Sequence, residues 1–98
     1  MGYSSAIHCY DEALEINPRY GAAWNTKGIS LKNLRHFEEA EHCLNKALEI
    51  NPRGASTWYD KVLCEERLDR KSNAVHSYKQ FIAVESIRDA TLIEHAHL

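Results

Sequence analysis

Small and apolar residues return every three or four positions in the middle of the chain, as in Trp24, Gly28, Leu31 and Leu34 and again in Phe37, Ala40, Leu44, Ala47 and Leu48. Polar side chains fill the places between, so the period is helical rather than alternating. The pattern predicts helices at roughly 3–16, 21–34, 37–50, 55–68 and 72–85, with a last one near 88–97. Asn17-Pro18 and Asn51-Pro52 supply the stops, because proline lacks the amide and pushes the preceding residue out of the helical region. No proline stands at Ser86, so the last two predicted helices either run on as one or form a bent pair.

The pattern is also periodic on a longer scale. Ala6-x-His8-Cys9-x3-Ala13-Leu14-Glu15-Ile16-Asn17-Pro18-Arg19 returns 34 residues later as Ala40-x-His42-Cys43-x3-Ala47-Leu48-Glu49-Ile50-Asn51-Pro52-Arg53. The same step carries Trp24 onto Trp58, Lys27 onto Lys61, Leu34 onto Leu68, Ala40 onto Ala74 and His42 onto His76. Each unit is therefore a pair of helices. The chain divides into a half repeat at 1–19 with the second helix only, a full repeat at 20–53, a degenerate repeat at 54–87 and a capping helix at 88–98.

Residues 21–53 resemble the tetratricopeptide repeat, W-x2-L-G-x2-Y followed by A-x3-F and P. Trp24, Gly28, Ala40 and Pro52 match, Ala47 fills a small-residue position, and Leu31 and Leu44 replace the two aromatics. The departures are Lys27 for leucine and, in the third copy, Val62 for glycine, Glu65 for the aromatic, Phe81 for the small residue and Ser86 for proline. The resemblance implies an all-α, right-handed superhelix of about two and a half antiparallel helix pairs. Small residues at Gly28, Ala40 and Ala47 let the helix axes approach, while Trp24, Leu44 and Tyr78 fill the space between.

A stack of this kind binds other proteins, and the resemblance places peptide ligands along the concave face lined by the first helices. Carried over by repeat position, that face is Ala22, Asn25, Thr26, Ile29, Lys32 and Asn33 from one unit and Ser56, Tyr59, Asp60, Leu63, Glu66 and Arg67 from the next. The binding positions expected among these are Asn25, Ile29, Lys32, Asn33, Tyr59, Asp60, Leu63, Glu66 and Arg67. The family also contains a clamp of lysine, arginine and asparagine for the C-terminal carboxylate of heat-shock chaperones. Here Thr26 stands for its asparagine, and Ser56 and Asp60 stand for its lysine and arginine, so the clamp is not expected.

Composition narrows the partners. The net charge is −2, with 27% charged and 44% hydrophobic residues, and there is no dominant field to attract nucleic acid. Apolar stretches are only a few residues long, and Met1-Gly2-Tyr3-Ser4-Ser5 has neither a basic region nor an apolar signal core. A cytoplasmic protein with a protein or peptide partner, and no membrane or nucleic-acid ligand, is the expectation. Cys9, Cys43 and Cys64 lack C-x-x-C spacing and are expected as free thiols in a reducing compartment.

Candidate chemistry is thin. His8, His42 and His76 share one repeat position, but successive second helices lie about 8–10 Å apart or more, whereas zinc needs donors at about 2 Å from one centre. A solvated stripe is expected, with no metal or other cofactor. His8-Cys9 and His42-Cys43 point about 100° apart on a helix and do not form a catalytic couple. Glu38, Glu39, Glu41 and Glu49 are read as charges at helix starts or on solvated faces. Lys27 and Lys61 are read as packed stems with amines in solvent. No phosphate loop or catalytic motif is present, and no enzyme is expected.

The two ends of the stack differ. The helix at 3–16 lacks the first helix of its unit, so Ile7, Tyr10 and Leu14 are expected to show apolar surface; the binding stack is expected to be part of a longer array, and homo-oligomerisation through these residues is the alternative function. At the other end, Ala83, Val84, Ile87, Leu92 and Ile93 are expected to cap the third copy.

Overall fold

A computed structural model describes the backbone of residues 2–97 and the side chains of these residues except Tyr3, Ser4 and 88–97. Five helices make up the described chain: α1 (Gly2–Ile16), α2 (Gly21–Asn33), α3 (Phe37–Ile50), α4 (Ala55–Arg67) and α5 (Lys71–His97). Among the described residues α1 packs on α2, α2 on α3, α3 on α4 and α4 on α5, with a lighter contact between α2 and α4. This is an all-α solenoid in which each helix meets its neighbours in the stack and little else.

The turns are built by the repeated residues. Asn17 and Asn51 accept the amides of Arg19 and Arg53 through their side-chain oxygens, at 3.1 and 3.2 Å, tying down the turn that proline opens. The indole N–H of Trp24 then donates to the Pro18 carbonyl at 2.8 Å, and that of Trp58 to the Pro52 carbonyl at 2.9 Å. Each tryptophan thus anchors the start of its helix to the turn before it.

Within a unit, the turn between the two helices is a left-handed C-terminal motif. Arg35 (φ 66°) and Asp69 (φ 58°) sit at the left-handed position. Their amides bond to Lys32 and Glu66 carbonyls, and the amides of His36 and Arg70 bond back to Leu31 and Glu65 carbonyls, closing the last helical turn.

The core gathers Leu31, Ala40, Cys43, Leu44 and Cys64, with Ile7, Trp24 and Phe37 packed against it. Gly28 is where α2 and α3 come closest: a Cβ there would lie 2.8 Å from Leu44 Cδ2 and 3.3 Å from the Ala40 carbonyl oxygen. Ala40 and Leu44 are fully buried. The third copy departs from this plan. Val62 takes the glycine position and is buried, and Tyr78, expected to fill the inter-helix space, is 48% exposed.

The C-terminal capping helix expected at 88–98 is not a separate element, because α5 runs unbroken from Lys71 to His97. Without a proline at Ser86 nothing interrupts its backbone hydrogen bonding. Ala83 and Ile87, expected to cap the third copy, are exposed, and Val84 is half-buried. Leu92 and Ile93 lie outside the described side chains. No helix among the described residues is long and apolar enough to cross a membrane.

Candidate functional site

The first helices α2 and α4 lie side by side, and two polar contacts join them. Thr57 Oγ1 donates to Asn25 Oδ1 at 2.8 Å, and Lys32 Nζ reaches Asp60 Oδ1 at 2.6 Å. Lys32 and Asp60 neutralise each other in a partly buried pair, with only 19% and 14% of their side chains exposed. Asn25, Lys32 and Asp60 were expected as ligand-binding groups; each is already engaged within the stack.

The remaining expected residues fall into two separate places. Asn33, Leu63 and Arg67 come together with Lys32 around a pocket of about 430 Å³ that also takes in Arg35 and Phe37. Tyr59 and Glu66 line a different depression, between α4 and α5, which Leu63 also borders. Ile29 is half-buried.

The first pocket is cationic with an apolar wall. The Arg67 guanidinium lies 6.0 Å from the centre of the Phe37 ring, a cation–π arrangement that orients it without neutralising it. Among the described residues, Arg35 and Arg67 form no ion pair, whereas Lys32 is matched by Asp60. Arg35 is held at the pocket by its left-handed backbone in the α2–α3 turn. Lys32 and Arg67 lie in the last turns of α2 and α4, where they also offset the negative helix ends. Sequence reasoning missed Arg35 and Phe37. Phe37 reads as a core residue in the helical pattern, and Arg35 belongs to a turn with no periodicity to place it.

A second cluster was not expected at all. Glu65 is 1% exposed and Glu41 8% exposed, although Glu41 was read as a solvated charge. The correction follows from packing: α4 lies over the face of α3 that carries Glu41, and Arg70 from the α4–α5 turn pairs with its carboxylate. Ser77 Oγ donates to Glu65 Oε1 at 2.6 Å. Burial pushes the Glu65 carboxyl above its ordinary value of 4.5; the Ser77 bond opposes this, the neighbouring Glu41 carboxyl adds to it, and Lys61 opposes it. Asn45, Lys61, Asn73 and His76 complete a shallow cleft of about 300 Å³ beside the two acids. The two carboxyls thus meet inside the interface of α3, α4 and α5, where burial favours the protonated form of Glu65.

His8, His42 and His76 are exposed. His8 Nε2 lies 2.9 Å from Glu12, and the His42 ring meets Trp24 edge-on at 6.2 Å. No group of three His, Cys, Asp or Glu among the described residues could hold a metal ion. All three cysteines are free thiols, with Cys9 exposed and the other two buried. Burial pushes the Cys43 thiol up and the Cys64 thiol up to about 11. Lys27 snorkels to Asp11 at 2.6 Å with its ammonium 5.7 Å from the Trp24 ring, and Lys61 lies 5.1 Å over Trp58. At the N-terminal end, Leu14 is 8% exposed, Ile7 packs on the core and Tyr10 is half-buried, so this face offers less apolar surface than its sequence suggests.

Residues 21–53 match the family model described as tetratricopeptide repeat. No curated protein matches the chain in sequence. Solved structures are similar in fold. A crystal structure of MamA superimposes with a TM-score of 0.87 at 19% identity, over 90% of this chain and 52% of that one. The chain thus spans about half the length of that protein. The TPR domain of Arabidopsis OM64 gives 0.81 at 20% identity, covering 86% and 69% of the two chains. The second TPR of Spaghetti (RPAP3), bound to the HSP90 peptide SRMEEVD, gives 0.80 at 15% identity, covering 84% and 76%.

Proposed function

We propose that this chain, a helical stack whose residues 21–53 match the tetratricopeptide repeat model, is a protein-interaction scaffold, not an enzyme, which binds an acidic peptide segment of a partner on the face formed by α2 and α4. The observation that carries this reading is the pocket of Lys32, Arg35, Phe37, Leu63 and Arg67, in which two arginines have no acidic partner among the described residues and stand beside an apolar wall. Guanidinium groups bind carboxylates through paired N–H donors, and Phe37 with Leu63 suits an adjoining apolar side chain. The engaged pairs Asn25–Thr57 and Lys32–Asp60 fix the spacing of α2 and α4, so the arginines are presented by a rigid floor. The ligand of the Spaghetti domain, a peptide with two adjacent glutamates, supports a peptide ligand for a stack of this shape. It does not transfer that protein's contacts, because Asp60 and Ser56 stand where the heat-shock clamp has cations.

The test is fluorescence anisotropy of a labelled peptide pairing two adjacent glutamates with a leucine, against a control with glutamines in their place. The acidic peptide should bind more tightly, weaken as salt rises, and lose roughly tenfold in affinity with Arg35→Ala plus Arg67→Ala. Equal binding of both peptides, or unchanged binding by the double variant, would falsify the assignment. Self-association through Ile7, Tyr10 and Leu14 is the competing reading. Sedimentation equilibrium separates the two, since a scaffold of this kind remains monomeric at tens of micromolar while it binds the peptide.

A further inference from the structure

The middle unit and the last unit carry the same helix pair, but only the first of them is covered. In the middle unit α4 lies along the groove between α2 and α3: Glu41 and Leu48 are nearly buried, Leu44 is fully buried, and Asn25 and Lys32 are bonded to Thr57 and Asp60. Thirty-four residues further on, the equivalent positions are Val75, Ile82, Tyr78, Tyr59 and Glu66. Val75 is 56% exposed, Tyr78 48%, Tyr59 47% and Ile82 46%. They border a groove of about 730 Å³ between α4 and α5. Phe81 braces its aromatic rim, with ring centroids 5.6 Å from Tyr59 and 6.1 Å from Tyr78. Large aromatic side chains held in place by packing are the groups that contribute most to association.

The shape and charge of the groove specify its occupant. The α2–α3 groove is filled by a helix, and the α4–α5 groove repeats its build. In the filled groove, the Asp60-Lys61 pair of α4 faces Lys32 on one side and the cleft containing Asn45 on the other. In the open one, Glu66 takes the place of Lys32 and Lys79 the place of Asn45, so the required order of charges is reversed. The chain's own in-phase pair is Glu94-His95, which repeats the order of Asp60-Lys61 rather than the reversed order. Moreover, α5 is one unbroken helix through that segment.

From this we infer that the α4–α5 groove is a second docking site, distinct from the arginine pocket, that takes an amphipathic helix of a partner protein. The helix presents an apolar stripe to Val75, Tyr78 and Ile82, a basic side chain to Glu66 and, at the next position, an acidic one to Lys79. Leu63 is the one residue that borders both sites.

Two labelled 14-residue helical peptides test this with the intact chain. Both follow the register of α4, with leucine in the places of Thr57, Cys64 and Leu68. One carries Arg–Glu in the places of Asp60 and Lys61, the other Glu–Arg. The Arg–Glu peptide should bind roughly five- to tenfold more tightly. Glu66→Lys with Lys79→Glu should reverse that preference, and Ile82→Asp should abolish binding of both while circular dichroism stays native, since Ile82 is half exposed. Arg35→Ala plus Arg67→Ala should leave peptide binding here unchanged, which separates this site from the acidic-peptide pocket. Failure of both helices to bind, or equal affinities that survive the charge reversal, overturns the proposal. So does a dimer in sedimentation that Ile82→Asp dissolves, because the occupant is then a second copy of the chain.

Discussion

Replacing Glu65 by glutamine should stabilise the protein at neutral pH and leave its stability nearly unchanged in acid. The carboxyl is 1% exposed, accepts a hydrogen bond from Ser77 at 2.6 Å and lies against the Glu41 carboxyl, itself tied to Arg70. Burial holds its folded pKa above 4.5. Below that value the folded and unfolded chains both hold the proton, and the contribution of the site is fully present. As pH rises the unfolded chain releases its proton first, so stability falls through the window between 4.5 and the folded value, and the loss is complete above it. Glutamine reproduces the protonated acid: its carbonyl accepts from Ser77 and its amide donates to Glu41. A buried group left without full compensation costs about 1–3 kcal/mol, so the variant should gain about that much at pH 8 and almost nothing at pH 4. Urea unfolding followed by circular dichroism reads this as a midpoint rise of roughly 0.5–2 M at pH 8, with an unchanged slope. A difference between variant and parent that stays constant from pH 4 to pH 8 would refute a raised Glu65 pKa in the folded chain. So would a variant less stable than its parent at pH 8, which would mean that Arg70 and Lys61 already match an ionised Glu65.

Gly28→Ala should destabilise the chain by about 1–2 kcal/mol despite alanine's better helix propensity, because the added Cβ meets a fully buried Leu44 and the Ala40 carbonyl; thermal unfolding measures it. Asp69→Gly should instead raise stability by about 0.5–1 kcal/mol, since φ 58° suits glycine, and a lowered midpoint would show that the left-handed turn is unstrained. Trp58→Phe should cost about 0.5–1.5 kcal/mol through loss of the indole bond to the Pro52 carbonyl, and the same change at Trp24 should cost a similar amount. A thiol reagent at pH 8 should titrate one cysteine, Cys9, in the native protein and three in urea, because Cys43 and Cys64 are buried with raised pKa values. Rapid labelling of Cys64 without denaturant would count against the closed packing of α4 on the core.

Local interactions are legible in a sequence when the residues that make them are close in the chain. Helix stops at Asn17-Pro18 and Asn51-Pro52, the helical periods and the 34-residue step are of this kind. They determined five of the helix starts to within a residue or so, the order of stacking and the all-α fold. The free thiols followed from cysteines that lack C-x-x-C spacing. What the tertiary structure decided involves side chains from different helices. Glu41 and Glu65 look solvated because each is charged, yet the phase that buries Leu31 also turns Glu65 inward, where Ser77 and Glu41 complete its surroundings. Tyr78 matches the position of Leu44 but stays half exposed, because among the described residues no further helix covers the α4–α5 groove that it borders. Arg35 and Phe37 join Arg67 only after α2, α3 and α4 have packed, and a turn residue carries no periodic signal of where its side chain will point. Helical period reports one face of one helix; burial and pocket membership depend on which other helices cover that face, and that is set by packing across the stack.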